Sequence, residues 1–283
     1  MDRDVTVSGG AGGLRRVTRP LHQALRPYLV SRVGFSHLAP PYQVRLVPTG
    51  HVIVTVSLAE PFSQIRRLGM PGSGTGRIGS VVAGIEDRPA WCAHPGGRQE
   101  VIRLQFTPLG AYRFLALPMR DLTNLVVELD DVLGPAAGVL VERLAATPSW
   151  AHRFDLLDAV LLERLGRGPE PAPEVAHAWC LLTDSAGTVP IARLAEEVGW
   201  SRSYLGRRFS EQVGLTPKAS ARVLRFRRAA QLLTGGPVDL AGIAATCGFY
   251  DQAHLTREFR ALAGLTPGRM AATARPVQEA LAL

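Results

Sequence analysis

A chain of 283 residues that is 46% hydrophobic and 20% charged has apolar side chains enough for a sizeable core in one or two domains, which excludes wholesale disorder. Its net charge is +8, and Lys218 is the single lysine among 32 basic residues. That excess of arginine is compatible with nucleic acid, although codon usage alone produces the same bias. No apolar run approaches the ~20 residues of a membrane span. The start Met1-Asp-Arg-Asp4 lacks the basic and apolar regions of a signal peptide, and the three separated cysteines, Cys92, Cys180 and Cys247, fit neither a zinc site nor a disulfide framework, so a reducing cytoplasm is expected.

In chain order, residues 1 to about 13 are polar and glycine-rich and are expected to fray. Leu21 to Val30 is short, apolar and interrupted by proline, as in a strand or a helical turn. From Tyr42 the period is two. Val44–Val47, Val52–Leu58, Ile78–Ile85 and Glu100–Phe106 read as strands between Gly/Pro turns, the pattern of a β-sandwich or small barrel. Helical spacing follows Pro108, over Leu109–Leu117, Arg120–Val127, Gly138–Ala145 and Arg153–Leu165.

Gly166 to Pro173 holds three prolines and two glycines and reads as a stiff linker. It divides an N-terminal domain, residues 1–165, from a helical C-terminal domain, residues 174–283, an α+β chain overall. Helices are predicted over Glu174–Thr183, Val189–Val198, Ser201–Val213 with Ser201 as N-cap, Thr216–Leu233, and in two pieces from Val238 to Ala263, with a loosely packed tail after Ala274.

The C-terminal domain repeats itself. Leu194-Ala-Glu-Glu-Val-Gly-Trp-Ser-Arg-Ser-Tyr-Leu-Gly-Arg-Arg-Phe-Ser210, closing on Gly214-Leu-Thr-Pro217, corresponds to Ile243-Ala-Ala-Thr-Cys-Gly-Phe-Tyr-Asp-Gln-Ala-His-Leu-Thr-Arg-Glu-Phe-Arg260, closing on Gly264-Leu-Thr-Pro267. The offset is 49 residues before the turn and 50 after it, so the second copy has one extra turn residue. Short helix, glycine turn and second helix make a helix-turn-helix, here in tandem. Charge concentrates in the same region: Arg193 to Arg228 holds nine basic residues against three acids, whereas residues 1–173 reach only +4.

One helix fits the major groove and reads bases with one face. In the first copy that face is Ser203, Gly206, Arg207 and Ser210, with Leu205, Phe209 and Val213 opposite; in the second it is Gln252, Ala253, Thr256, Arg257 and Arg260, with Leu255, Phe259 and Leu262 opposite. Arg207 and Arg257 suit guanine and Gln252 suits adenine. Arg202, Arg208, Arg222 and Arg225 read as phosphate contacts that fix register. A solvated, arginine-rich helix face is the plain alternative for either copy alone.

Through these same segments, residues 174 to 269 resemble the DNA-binding domain of AraC/XylS-type transcription regulators, two helix-turn-helix units joined by one long helix. The resemblance covers about a third of the chain and implies recognition helices in successive major-groove segments of double-stranded DNA. Gly206 departs from it, standing where members often carry a longer polar residue, so the first helix is expected to read fewer bases. The first half is similar, less strongly, to the sensor regions of that family, through Val47-Pro-Thr-Gly50, Val82-Ala-Gly-Ile-Glu-Asp-Arg-Pro89 and Leu104-Gln-Phe-Thr-Pro-Leu-Gly-Ala111. Such regions bind a small-molecule effector or mediate self-association as a homodimer; RNA polymerase is a further partner of such a regulator.

No cofactor or metal is expected. His37, His51 and His94 are single and widely separated, unlike a cupin metal set. Cys92 and His94 form a candidate reactive pair, read as lying in a loop beside Pro95-Gly-Gly97; a plain surface or core role is the stronger reading, and nothing like the Pro-Cys-His-Arg setting of a methyl-acceptor cysteine surrounds Cys92. Gly72-Ser-Gly-Thr-Gly76 lacks the ending of a phosphate loop and reads as a strand connection. The reading is thus a non-enzymatic, sequence-specific regulator. The alternatives are a sensor domain with enzymatic or metal-dependent activity, a non-specific architectural DNA-binding protein, and a protein-interaction module.

Overall fold

The β-branched first half folds as two antiparallel sheets in the computed structural model, which describes residues 5–9, 14–59, 64–67, 79–94, 96–234 and 239–272. The strands are β1 Thr6–Gly9, β2 Arg15–Thr18, β3 Leu29–Ala39, β4 Tyr42–Leu46, β5 Val52–Ser57, β6 Gln64–Arg67, β7 Val81–Ala83, β8 Ala90–His94, β9 Gly97–Phe106 and β10 Val126–Glu128. Seven form one sheet in the order β1-β2-β3-β9-β5-β7-β10, and β4-β8-β6 form the second. On β9 the alternation sorts the side chains. Ile102, Leu104 and Phe106 enter the main core with Val56, Val54 and Val52, their partners on β5. Val101 packs on the other face with Phe35 and Val33 of β3.

Four readings of this half need correction. Leu21 to Val30 holds a 3₁₀ turn at Gln23–Leu25 and the start of β3, but the strand runs on to Ala39, past the apolar stretch, with Arg32 and Gly34 breaking the apolar alternation on its core side. Arg32 is buried against the Phe154 ring and paired with Asp158. A Cβ at Gly34 would stand 2.3 Å from the Trp150 ring, so a bare backbone lets that indole close over the sheet. Residues 6–9 pair with β2 as an edge strand. Arg120–Val127 is not a helix but a 3₁₀ turn at Met119–Leu122 and then β10, whose β-branched Val126 and Val127 pair with β7. Cys92 and His94 lie on β8, paired with Val44 and Tyr42 of β4, and not in a loop. The segment Gly72–Gly76 and the tail after Ala274 lie outside the described residues.

The helices are α1 Pro108–Leu115, α2 Leu129–Leu133, α3 Pro135–Ala146, α4 Trp150–Arg167, α5 Pro173–Asp184, α6 Ile191–Glu197, α7 Arg202–Val213, α8 Pro217–Thr234, α9 Leu240–Thr246 and α10 Gln252–Ala263. In α4 the stripe Phe154, Leu157, Leu161 and Leu165 is buried as its spacing requires. Only Gly168–Ala172 joins α4 to α5, and this connection is tied down: Arg113 pairs with Glu170 at 2.7 Å, and the Ala172 amide donates to Gln212 at 2.9 Å. One buried cluster runs from Val54 and Leu104 through Phe114, Leu165 and Leu182 to Phe209, Phe226 and Phe259.

Candidate nucleic-acid interface

Each copy of the repeat is built the same way. In the first, Gly199 takes φ +68° between α6 and α7, and in the second Gly248 takes φ +71° between α9 and α10. Both glycines are required there because side chains disfavour that backbone region. The Ser201 hydroxyl caps α7 by accepting from the Tyr204 amide, and the Asp251 carboxylate caps α10 by accepting from the His254 amide at 2.6 Å. Leu205, Phe209 and Val213 of α7 and Leu255, Phe259 and Leu262 of α10 are buried, as the periodicity requires. Their burial fixes which faces look outward. The helix α8 joins the copies and carries Phe226, packed edge-on to Phe259 at 4.8 Å.

The outward faces differ. On α10, Gln252, Ala253, Arg257 and Arg260 are exposed and Thr256 is half-buried, with its hydroxyl donating to the Gln252 carbonyl. These five residues line one depression of about 520 Å³. On α7, Arg202, Ser203 and Arg207 are exposed, and Gly206 has open space where a side chain would stand. Arg207 lies over the ring of Tyr204, 5.1 Å from its centroid, and Tyr204 in turn meets Trp200 edge-on at 4.7 Å.

Basic residues of α7 and of the connecting helix α8 are more engaged than a solvated face requires. Arg222 donates to Glu258 at 2.8 Å, tying α8 to α10. Arg225 is half-buried, 5.6 Å from the Phe249 ring centroid, and burial pulls its pKa down. Arg208 is half-buried and pairs with Glu211 at 2.8 Å. Lys218 and Arg228 are the exposed cations of α8.

Sequence reasoning missed two aromatic residues on this side. Tyr250 is 93% exposed immediately before the α10 cap, and Tyr204 is 40% exposed on α7. A signal for Tyr250 was present: it is the extra turn residue behind the change of offset from 49 to 50.

A second polar grouping lies between the two sheets of the first half. The Tyr42 ring stacks on His94 at 4.4 Å, and its hydroxyl donates to Gln99 at 3.3 Å. The Cys92 sulfur lies 3.3 Å from Nε2 of His94. Burial, with Arg103 and His37 nearby, pushes the His94 pKa down to about 4, and burial pushes Tyr42 up to about 12, so both are uncharged at neutral pH. Among the described residues no group of three or more His, Cys, Asp or Glu is placed to hold a metal ion, and no helix is long and apolar enough to cross a membrane.

Residues 194–273 match the model of a family described as a helix-turn-helix domain. Over 90 residues the chain is 38% identical to the HTH-type transcriptional regulator YbfI of Bacillus subtilis, a match covering 31% of this chain and 32% of that one. Over 97 residues it is 36% identical to an AraC-like transcription regulator of Streptomyces lividans, covering 34% of this chain and 32% of that one. Among solved structures, ToxT from Vibrio cholerae is similar over 83% of this chain and 98% of its own, at 10% identity and a TM-score of 0.48. The matches span about a third of the length of these curated relatives.

Proposed function

We infer that this chain, which carries an AraC-type helix-turn-helix domain at its C-terminus, is a sequence-specific transcription regulator that reads DNA with both copies of its repeat. One observation carries the reading. The repeat gives two capped helices with matching buried stripes, and each presents an arginine at the corresponding outward position, Arg207 and Arg257. On this reading α7 and α10 enter adjacent major-groove segments, and Arg207, Arg257 and Gln252 meet base edges.

The two helices contribute unequally. On α10 the long side chains of Gln252, Arg257 and Arg260 are exposed and support direct base readout, whereas Gly206 leaves α7 with less reach. Arg202, exposed beside the α7 cap, is assigned to phosphate with Lys218 and Arg228. Arg208, Arg222 and Arg225 hold the scaffold first, through Glu211, Glu258 and the Phe249 ring, and add positive potential second.

The N-terminal domain is assigned to control, through a small-molecule effector or through self-association as a homodimer, with RNA polymerase as a downstream partner and the cytoplasm as the working compartment. No catalytic step is part of this reading.

The test is selection of random duplex DNA by the full-length protein. Two short boxes about one helical turn apart are expected. Binding with no enriched sequence and a steep loss with salt would replace this reading with a non-specific architectural one.

A further inference from the structure

The first half touches the repeat at the C-terminal end of α7 and at the C-terminal end of α10, one residue apart in the register of the two copies. Gly214-Leu-Thr-Pro217 and Gly264-Leu-Thr-Pro267 are the same turn in the two copies, each closing a DNA-facing helix. At the first, the Thr123 hydroxyl, just after the 3₁₀ turn, donates to the Gly214 carbonyl at 2.6 Å. At the second, Arg45 of β4 donates from Nη1 to the Ala263 carbonyl, the last residue of α10, also at 2.6 Å. Both contacts satisfy carbonyls at a helix C-terminus, and the second places a cation at the negative end of the helix dipole.

Both turns are seated closely. A Cβ at Gly214 would lie 2.5 Å from Ile85, and one at Gly264 would lie 2.7 Å from the Arg45 guanidinium. Arg45 is itself held in place, stacked 4.5 Å over the ring of Trp91, its cross-strand partner on β8. Between these points the first half also meets the connecting helix. Arg227 of α8 donates to the Thr49 carbonyl at 3.3 Å, and Gly50 packs on Val223 and Leu224.

We propose that Arg45 and Thr123 are positioning residues for DNA reading: by gripping the same turn of each copy, the N-terminal domain sets the distance between the two reading helices and so the spacing of the DNA boxes the chain accepts. The inference rests on the proposed reading of both helices as base readers. Its physical basis is geometric. Successive base pairs rise by ~3.4 Å, so a shift of a few ångströms between α7 and α10 moves one box by a base pair. Among the described residues α7 and α10 each pack on α8, and the grip further ties each helix end to one shared frame.

The experiment uses full-length protein and duplexes carrying the two selected boxes at varied separations. Wild type is expected to prefer one spacing sharply. Arg45→Met with Thr123→Val should cut the preference for that spacing over a spacer one base pair longer by roughly tenfold, the scale of one or two lost hydrogen bonds, with base preference inside each box unchanged. Thr123→Ser, which keeps the hydroxyl, should retain the sharp optimum. Near-UV circular dichroism establishes that each variant is folded; if the double variant is not, Thr123→Val alone must still broaden the optimum. An unchanged spacing optimum in folded variants overturns the inference and leaves base reading intact. Tighter binding at every spacing overturns it too, because the grip would then be inhibitory. A wild type that selects no paired boxes overturns the functional reading, and this inference with it.

Discussion

Arg227 on the connecting helix lies 3.1 Å from Nε2 of His51, on the turn that leads into β5. A guanidinium only donates, so Nε2 accepts, and the Gln105 side-chain amide stands 2.7 Å from Nδ1 on the other side of the ring. The imidazole is therefore neutral by construction. Protonation would set two cationic donors against each other at a contact between the two halves.

The pH dependence of stability follows. Burial and Arg227 push the His51 pKa down to about 3, and His94 is pushed down to about 4. In the unfolded chain both titrate near 6.5. The unfolded state therefore binds more protons between those values, and stability present above pH 6.5 is lost as pH falls toward 4. The expected slope is up to ~1.4 kcal/mol per pH unit for each histidine. Urea melts at pH 7 and pH 5 check this, and His51→Gln should reduce the difference. Equal midpoints at the two pH values would refute neutral burial.

Arg257→Ala should cost about 1–3 kcal/mol of binding at one base pair and relax specificity there. A panel of operators with single-base changes, measured at fixed salt, reads this directly. A loss uniform across the panel would reassign Arg257 to phosphate.

Arg222→Ala should act first on stability. It leaves Glu258, whose side chain is only 16% exposed, without its guanidinium, at a cost of about 1 kcal/mol or more. The melting temperature should fall, with a secondary loss of DNA affinity shared by all sequences. An unchanged melting temperature with a salt slope lowered by about one would instead mark Arg222 as a pure phosphate contact.

Gly206→Ala should stabilise α7 by about 0.5–1 kcal/mol, since glycine weakens a helix interior and the added methyl meets no atom within 4 Å. Thermal melts should show a rise of about 2 °C. A simultaneous drop in DNA affinity would mean that the DNA backbone comes close to α7 at this point.

The repeat was readable because its burial is periodic and its caps are local. Leu205 and Phe209, Leu255 and Phe259, Ser201 and Gly199 declare their places from neighbours a few residues away. The long strand β3 was not readable, because Arg32 breaks its apolar alternation and makes sense only once Asp158 and Phe154, more than a hundred residues later, close over it. Arg222 reads as a phosphate contact for a similar reason, since its partner Glu258 lies 36 residues on, while Arg208 meets Glu211 within one turn of its own helix. Composition counts cations but does not reveal that Glu258 and Glu211 already hold two of them. Tyr250 fell between the two kinds of signal: the extra turn residue was visible, and its near-complete exposure was not.

The buried cluster that continues from Leu104 through Leu165 and Leu182 to Phe226 leaves no dry boundary at which the chain can come apart. Calorimetry should record a single endotherm, in which the calorimetric and van't Hoff enthalpies agree. Under that cooperativity, whatever binds one end of the molecule raises the temperature at which the other end melts. Heat resistance of the sheets thus becomes a gauge of what the distant helices hold.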